Sequence, residues 1–333
     1  MALFEDVMRP MYDSFPFVAD GWYIQQSSML LTLSLPRDFR LWSLVLSHGW
    51  SVLPPFRIDR DRRSLGFASV LQSGNAVAVS VAERRRSLRC HVDSPTPLTN
   101  SDRAEVRTTI RSVLRLDEDL APLHRVARRH PGYRWVPRFG AGRILRAPTA
   151  FEDTVKMICT TNCSWSLTVQ MVTRLVGKLG HVVVGGQRAF PTPEAMASQP
   201  ERFYRTVIRA GYRSPYLLEL ARRCVTGELN LERLRTETMT AEEKTALLRA
   251  IKGVGPYAAD HLLRLHGVYD RFAHDSWITK QFAERYHGGR RVKDVTIERR
   301  YKEFGSFQGL MYWLDMTKEW YERDEDFSRE VTA

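Results

Sequence analysis

A glycine-containing turn in the C-terminal third of the chain has the composition of a phosphate-binding loop. The segment Lys-Gly-Val-Gly at residues 252–255 separates a helix expected at Ala241–Ile251 from a second helix that Pro256 suits as first residue. The glycines allow close backbone approach, and the free N–H groups of the second helix, with the positive end of its dipole, attract an anion. Lys252 adds a charge at the edge. The segment therefore predicts phosphate binding without base reading; a plain hairpin between two packed helices is the alternative.

An aspartate after this turn stands at the start of a predicted helix. Asp275 lies 20 residues after Gly255 and precedes a helical pattern at residues 276–286. Aspartate is favoured as a helix N-cap because its side chain accepts hydrogen bonds from the first free backbone N–H groups. A cap position also fixes the carboxylate and exposes it at the end of the helix. Asp275 is therefore a candidate for stabilising developing positive charge, with a purely structural cap as the alternative.

The turn and the aspartate, in this order and at this spacing, resemble the helix-hairpin-helix DNA glycosylase superfamily. Residues 157–162 resemble the helix end and turn that precede the DNA-inserting residue of 8-oxoguanine DNA glycosylases. Ala210–Arg213 with Tyr216 resembles their Gly-Tyr-Arg turn, and Phe39–Phe56 is similar to a strand-loop of their N-terminal sheet. The likeness covers about residues 28–320, strongly within 149–287 and weakly before 100.

The resemblance implies that Asp275 stabilises the positive charge that builds on the sugar when an N-glycosidic bond breaks, and orients or deprotonates a water. Bifunctional relatives carry a lysine two residues after the second glycine of the hairpin, where this chain has Tyr257. A phenol with a pKa near 10 forms no Schiff base, so the expected enzyme is monofunctional and leaves an abasic site. The 3-methyladenine DNA glycosylase II branch is similar in having an aromatic residue there. Such a ring stacks on an electron-poor alkylated purine, the expected substrate.

Two alternatives stay open. The first is an 8-oxoguanine DNA glycosylase that lacks the lyase lysine or borrows another amine. Leu167 stands where those relatives have an arginine that reads the orphan cytosine, which puts selection of an opposite cytosine in doubt. The second is a protein that binds DNA lesions through the hairpin without catalysis. Asp275 argues against it, because pure binding would avoid a carboxylate that faces DNA.

The resemblance assigns further residues to two surfaces. Gly49 is expected to approach the base from the sheet domain, and Asp315 is a weaker polar candidate. The base pocket is expected to contain Tyr257, Tyr312, Trp313, Met316 and Trp50. For the aromatic residues among them, plain core packing is the alternative. DNA binding is expected from Lys252, Gly253, Val254, Gly255, Asn162, Tyr212 and Arg213, with Asn162 entering the gap left by the flipped base and Tyr212 wedged beside it.

The composition agrees with a protein that binds nucleic acid. The 333 residues are 43% hydrophobic and 26% charged, and 50 Lys and Arg residues against 38 Asp and Glu give a formal net charge of +12. A soluble protein this basic usually meets a polyanion, although codon usage also enriches arginine. The expected partner is double-stranded DNA with damaged bases, bound by a monomer in the cytoplasm, on the nucleoid if the source is bacterial.

Several classes of protein and site are not expected. No apolar run approaches the roughly 18 residues of a membrane span, and the N-terminus carries acids where a secretory signal is basic and then apolar. Four cysteines make no disulfide framework in so long a chain. Cys159 and Cys163 are four residues apart, but no second pair completes a metal site. No iron–sulfur cluster is expected, because no cysteine follows Cys224; a monovalent cation at the hairpin is left open.

Two kinds of pattern divide the chain into a sheet region, 1–100, and a helical region, 101–333. Apolar alternation, as around Val79 and Cys90, predicts an antiparallel sheet within residues 28–95 after a lead-in at 1–20. Strands are expected at Ser28–Leu35, at Trp42–Leu46 and around Val79 and Cys90. Helices are expected at 102–116, from the capping box Thr149–Glu152, at 164–179 and at 215–225. A second capping box, Thr240 with Glu243, predicts the start of the helix at 241–251.

The fold class expected from these patterns is α+β. The resemblance implies a TATA-binding-protein-like sheet followed by two helical subdomains that enclose a cleft. The short acidic tail after Trp320 is expected to fray.

Overall fold

A five-stranded antiparallel sheet forms the N-terminal part of the structure, in the order β1-β5-β4-β3-β2. The structure is a computed structural model that describes residues 27–324 and residue 327, so the lead-in expected at 1–20 lies outside the described residues. In β1, Leu31 and Leu33 are buried while Thr32 and Ser34 are exposed, as the alternation predicts. The strands are β1 Ser27–Ser34, β2 Arg57–Asp59, β3 Ser64–Val70, β4 Ala76–Arg84 and β5 Ser87–Ser94. The predicted α+β class with an N-terminal antiparallel sheet is confirmed.

The strand predicted at Trp42–Leu46 is wrong, because this segment forms a helix, α1 Leu41–Val45, with all five residues buried. A short apolar run carries no period that separates a strand from a buried helical turn. Tertiary contacts decide the outcome: the backbone N–H of Leu41 donates to the Glu83 carboxylate of β4 at 2.7 Å. A 3-10 turn at Gly49–Val52 follows, so the stretch likened to a strand and loop contains a helix and a turn.

Helices form most of the remaining described chain. The predicted helices are confirmed with boundaries that differ by a few residues, because helix ends depend on caps and packing. The helices are α2 Asn100–Val113, α3 Ala121–Arg129, α4 Trp135–Phe139, α5 Ala150–Thr160, α6 Trp165–Leu179, α7 Pro193–Ala197, α8 Glu201–Phe203, α9 Ser214–Val225, α10 Arg233–Thr236, α11 Ala241–Arg249, α12 Pro256–Leu265, α13 Ser276–His287, α14 Asp294–Tyr301 and α15 Gln308–Glu322.

Side-chain caps start the helices that surround the site. Thr240 and Glu243 form the predicted reciprocal capping box at α11. At α5 only half of the predicted box forms: Thr149 accepts from the Glu152 N–H at 3.1 Å, whereas the Glu152 carboxylate pairs with Lys156 at 2.6 Å. A buried lysine one turn away competes successfully for the carboxylate, because an unpaired charge in the interior is costly.

The sheet and the helices share one hydrophobic core. A single cluster of buried side chains extends from Leu31 in β1 to Tyr321 in α15. Because α15 continues to Glu322 and Tyr321 is fully buried, the expected fraying after Trp320 is wrong at its first two residues. Residues 325–326 and 328–333 of that tail lie outside the described part of the chain. The hairpin and the start of α13 therefore rest on a scaffold with a common core.

Three further features concern the classes of protein considered from the sequence. Among the described helices, none is long and apolar enough to cross a membrane. All four cysteines are free thiols, and the Cys163 thiol donates to the Cys159 carbonyl at 3.1 Å. Within the described ranges, no group of three or more His, Cys, Asp or Glu side chains is placed to hold a metal ion.

Candidate active site

The two glycines of the hairpin differ in backbone conformation and in the space around them. Gly253 has φ +87°, and a Cβ there would lie 2.8 Å from the Tyr216 ring, so the fold itself requires glycine at this position. Gly255 has φ −78° and ψ −177°, an extended conformation open to any residue. A Cβ on Gly255 would meet nothing within 4 Å. The backbone at Gly255 is thus bare toward the outside of the protein, which suits the approach of an external phosphate.

The backbone N–H groups at the start of α12 have no side-chain cap. Gly255 is its N-cap and offers no side-chain hydrogen bond, and Pro256 occupies the first turn. The remaining N–H groups of that turn have the positive helix end behind them. Val254 is buried and anchors the turn. Lys252 is 66% exposed, with its Nζ 2.7 Å from Glu219; a surface pair of this kind contributes little stability, so it exchanges readily for a phosphate.

Asp275 caps α13 with one carboxylate oxygen, and its other oxygen faces the partly exposed side chains of Tyr257 and His261. We call the surface formed by these three residues the crevice. Oδ1 accepts from the Ile278 N–H at 2.8 Å, whereas Oδ2 lies 4.0 Å from His261 Nε2. The side chain is 25% exposed. Burial raises the pKa of the Asp275 carboxyl above its usual range, opposed by hydrogen bonds from backbone N–H groups and the Tyr257 hydroxyl and by the Arg264 charge. The two roles weighed for Asp275 are therefore compatible in one geometry.

Tyr257 lies in the first turn of α12 and faces the same carboxylate. Its hydroxyl is close enough to Asp275 and Thr160 for both residues to influence the pKa of the phenol. Burial and the negative charge of Asp275 raise the pKa of the Tyr257 phenol, so it is a neutral donor and not a nucleophile. Its ring meets His261 edge-on, with centroids 4.6 Å apart. The predicted juxtaposition of an aromatic side chain with Asp275 is present in the structure.

Two residues that are not predicted from the sequence complete this face of α12. His261 and Arg264 follow Tyr257 by four and seven residues, a spacing that puts all three on one side of a helix. Trp313 of α15 covers them, with its ring 5.7 Å from His261 and 5.0 Å from the Arg264 guanidinium. The Trp313 indole donates to the Ser47 carbonyl at 2.8 Å, which ties α15 to the loop after α1. The helical spacing indicates that the pair shares a face with Tyr257, but their burial depends on the packing of α15.

Four other residues proposed for the base site are buried inside the protein. Tyr312 and Met316 are buried in the core. Trp50 is also buried and donates its indole N–H to Asp153 at 2.7 Å. Asp315 accepts hydrogen bonds from the hydroxyl groups of Tyr133, Tyr286 and Tyr301 at 2.6–2.9 Å. At Gly49 the Trp165 ring occupies the approach, since a Cβ there would lie 2.5 Å from it.

The turn after α5 presents the other residues expected to meet DNA. Asn162 is exposed and has φ +45°, and its amide donates to the Tyr212 hydroxyl at 3.3 Å. Tyr212 is 46% exposed. Arg213 differs from the expectation, because it is buried and donates to the Thr161 carbonyl. Arg213 therefore holds the turn in place from behind, and the exposed residues are Asn162 and Tyr212.

The chain is similar in sequence to two curated DNA-repair enzymes. It is 24% identical over 191 residues to a DNA-3-methyladenine glycosylase of Bacillus subtilis, covering 56% of this chain and 62% of the relative. It is 27% identical over 155 residues to an N-glycosylase/DNA lyase of Saccharomyces cerevisiae, covering 42% and 41%. The chain thus spans less than two thirds of the length of both relatives. No protein-family model matches it.

Solved structures resemble the whole fold. A 3-methyladenine DNA glycosylase from Archaeoglobus fulgidus superposes with a TM-score of 0.69 at 22% identity, covering 88% of this chain and 99% of that one. An 8-oxoguanine glycosylase/lyase from Clostridium acetobutylicum superposes with a TM-score of 0.62 at 21% identity, covering 88% and 98%. At this identity the likeness shows the fold, and it does not separate the two activities.

Proposed function

We propose that this chain, which has the fold of the helix-hairpin-helix DNA glycosylase superfamily as its motifs predict, is a monofunctional DNA glycosylase that releases a damaged purine from double-stranded DNA. The observation that carries the proposal is the pairing of Asp275 with Tyr257. One oxygen of the carboxylate is fixed by α13, and the other lies beside His261 on a side chain that is 25% exposed. The position from which an amine would attack carries a neutral phenol.

The reaction follows from the charge that each step creates. When the C1′–N9 bond breaks, its electron pair goes to the base and positive charge develops on the sugar. The Asp275 carboxylate stabilises that charge, held in place by its cap hydrogen bond, so little reorganisation is needed. Water then attacks C1′ and gives its proton to the carboxylate. The products are a free base and an abasic site on an unbroken strand, and the sequence of steps uses no cofactor.

The hairpin and the turn after α5 support DNA as the partner. Gly255 and the first turn of α12 offer bare N–H groups to a phosphate, and exposed Lys252 adds charge. Asn162 and Tyr212 are exposed on the Tyr216 side of the hairpin, because Tyr212 neighbours Tyr216 and the Tyr216 ring packs on Gly253. These residues would contact the DNA backbone and the gap left by the flipped base, so their binding does not depend on which base is damaged. The choice among damaged purines depends on the pocket walls.

The lysines near the site are poorly placed to replace the missing amine. Lys252 lies at the exposed hairpin, paired with Glu219. Lys280 is five residues beyond Asp275 on α13 and pairs at 3.7 Å with Glu284 on the exposed side of that helix. A Schiff base at C1′ requires an amine in the crevice. The borrowed-amine version of an 8-oxoguanine glycosylase therefore has less support than hydrolysis by water.

The test is base release with and without alkali. Duplexes that each carry one alkylated, oxidised or deaminated purine are incubated with the protein, and half of each sample is then treated with alkali. We expect strands that stay intact until alkali cleaves the abasic site, and no covalent adduct when borohydride is present. Strand cleavage without alkali, or a trapped adduct lost in Lys252→Ala or Lys280→Ala, would contradict the proposal. Lesion binding without any base release would favour the non-catalytic alternative.

A further inference from the structure

Arg264 is a buried cation without an ionic partner. The residue is 3% exposed. Within the described residues no carboxylate oxygen lies within 4.0 Å of it, and its Nε and Nη2 have no hydrogen-bond partner. Nη1 donates to His261 Nδ1 at 3.5 Å, and the guanidinium lies 5.0 Å from the Trp313 ring centre. Burying a charge without an ion-pair partner destabilises a fold, so a stabilising ion pair does not account for this arginine.

The position of Arg264 connects it to the proposed chemistry. Along one face of α12, Tyr257 and His261 are partly exposed and Arg264 is buried beneath them, about 10 Å from Tyr257 along the axis. The charge of Arg264 acts on both active-site groups, and it lowers the pKa of the Asp275 carboxyl and that of the Tyr257 phenol. Arg264 therefore lies beneath the side chains that border Asp275.

His261 extends the donor set toward Asp275. Its Nδ1 accepts from Arg264, so the proton of the neutral ring sits on Nε2. Burial and the Arg264 charge lower the pKa of the His261 imidazole, which keeps the ring neutral. Nε2 has no hydrogen-bond partner in the described part of the chain and lies 4.0 Å from Asp275 Oδ2. Three buried donor nitrogens, two on Arg264 and one on His261, thus have no acceptor in the described part of the chain, beside the group that acts on C1′.

A leaving purine base offers hydrogen-bond acceptors to these donors. An uncharged purine leaves with the electron pair of the C1′–N9 bond as an anion, whose charge spreads to its ring nitrogens and any carbonyl oxygen. Guanidinium and imidazole N–H groups stabilise that anion, which then takes a proton from solvent. A cationic N-alkylated purine leaves as a neutral molecule and gains nothing, and while bound it is repelled by the guanidinium.

We propose that Arg264, oriented by His261, stabilises the leaving base, so that the preferred substrates are uncharged 6-oxopurines and cationic alkylated purines are disfavoured. The proposal rests on the glycosylase function proposed above. It reverses the preference for alkylated purines that the aromatic side chain of Tyr257 suggests in the sequence. Tyr257 stacks on either class, whereas an unpaired cation discriminates between them by charge.

The test compares wild type with Arg264→Met in single-turnover release of two bases. Hypoxanthine is an uncharged 6-oxopurine, and 7-methylguanine is a cationic one. We expect Arg264→Met to slow hypoxanthine release at least tenfold and to leave 7-methylguanine release within threefold of wild type or faster. The His261→Phe variant should shift the ratio of the two rates in the same direction by a smaller factor. An equal loss on both substrates would overturn the assignment.

A second measurement guards against a folding artefact. Methionine is unbranched like the aliphatic part of arginine and removes an unpaired buried charge, so Arg264→Met should melt no lower than wild type; a large drop would show a structural role and overturn the proposal. Arg264→Lys keeps the charge with a single nitrogen and should retain more hypoxanthine release than Arg264→Met. If wild type releases neither base nor any other of the panel, the glycosylase function itself fails. If wild type releases bases but Arg264→Met has the same ratio of hypoxanthine release rate to 7-methylguanine release rate, only the proposed role of Arg264 is refuted.

Discussion

At the scale of single residues, Asp275 divides its two oxygens between structure and chemistry. Oδ1 holds the first turn of α13, and Oδ2 borders the crevice with His261. The cap role of Asp275 is predictable from the sequence, because an aspartate at a helix start is a local pattern. Arg264 and His261 are different, since nothing local marks a helical arginine as buried and unpaired. Only the packing of α15 over α12 makes them distinctive.

Tyr257 sets the pH range in which Asp275 is active. Burial raises the pKa of the carboxyl, and the Tyr257 hydroxyl lowers it. In Tyr257→Phe the pKa should therefore rise further, and the acid limb of the excision pH profile should move to higher pH because the carboxylate is the active form. Tyr286→Phe is the matched control, since its hydroxyl bonds to Asp315 at 2.7 Å. An acid limb at the same pH in wild type and Tyr257→Phe would refute the coupling.

At the scale of elements, the hairpin joins a structural glycine to a bare one. We predict that Gly255→Val binds DNA of any sequence more weakly while losing less than about 1 kcal/mol of stability, because its backbone is extended and valine is only a poor cap. Gly253→Ala should instead lose about 1–3 kcal/mol, because a Cβ at φ +87° is strained and meets Tyr216. Binding titrations and denaturant melts of both variants separate the effects. Unchanged affinity in a folded Gly255→Val protein would mean that the hairpin only joins two helices.

The elements also show where sequence patterns stop being informative. The Thr240 capping box and the Ser164 cap start α11 and α6 where they are predicted, because caps are local interactions. The apolar run at Trp42–Leu46 is too short to have a period, and long-range bonds such as that from Leu41 to Glu83 make it a helix. Arg213 similarly looks like a DNA contact in sequence, and its burial behind Thr161 depends on the tertiary fold.

At the scale of the whole molecule, a net charge of +12 predicts binding that weakens with salt. Each phosphate neutralised contributes about 0.9 to the slope of log affinity against log salt on duplex DNA. Lys252→Ala should reduce the slope by about one and affect all sequences alike. Lys178→Ala is the control: this lysine is exposed at the end of α6 farthest from Asn162, roughly 20 Å along the axis. Equal slopes for wild type and Lys252→Ala would remove Lys252 from the DNA-binding surface.

The most direct test of the whole account is single-turnover base release by Asp275→Asn, on the duplex that wild type processes fastest. Asparagine is an equally good cap. Since burial raises the pKa of the Asp275 carboxyl above its usual 3.8, the ionised side chain lowers stability at neutral pH, and the variant should be at least as stable there. We predict unchanged DNA affinity and a rate at least about 100-fold lower, roughly 3 kcal/mol in the barrier. Near-wild-type release by the folded variant would contradict the assignment of Asp275 as the group that stabilises the sugar cation.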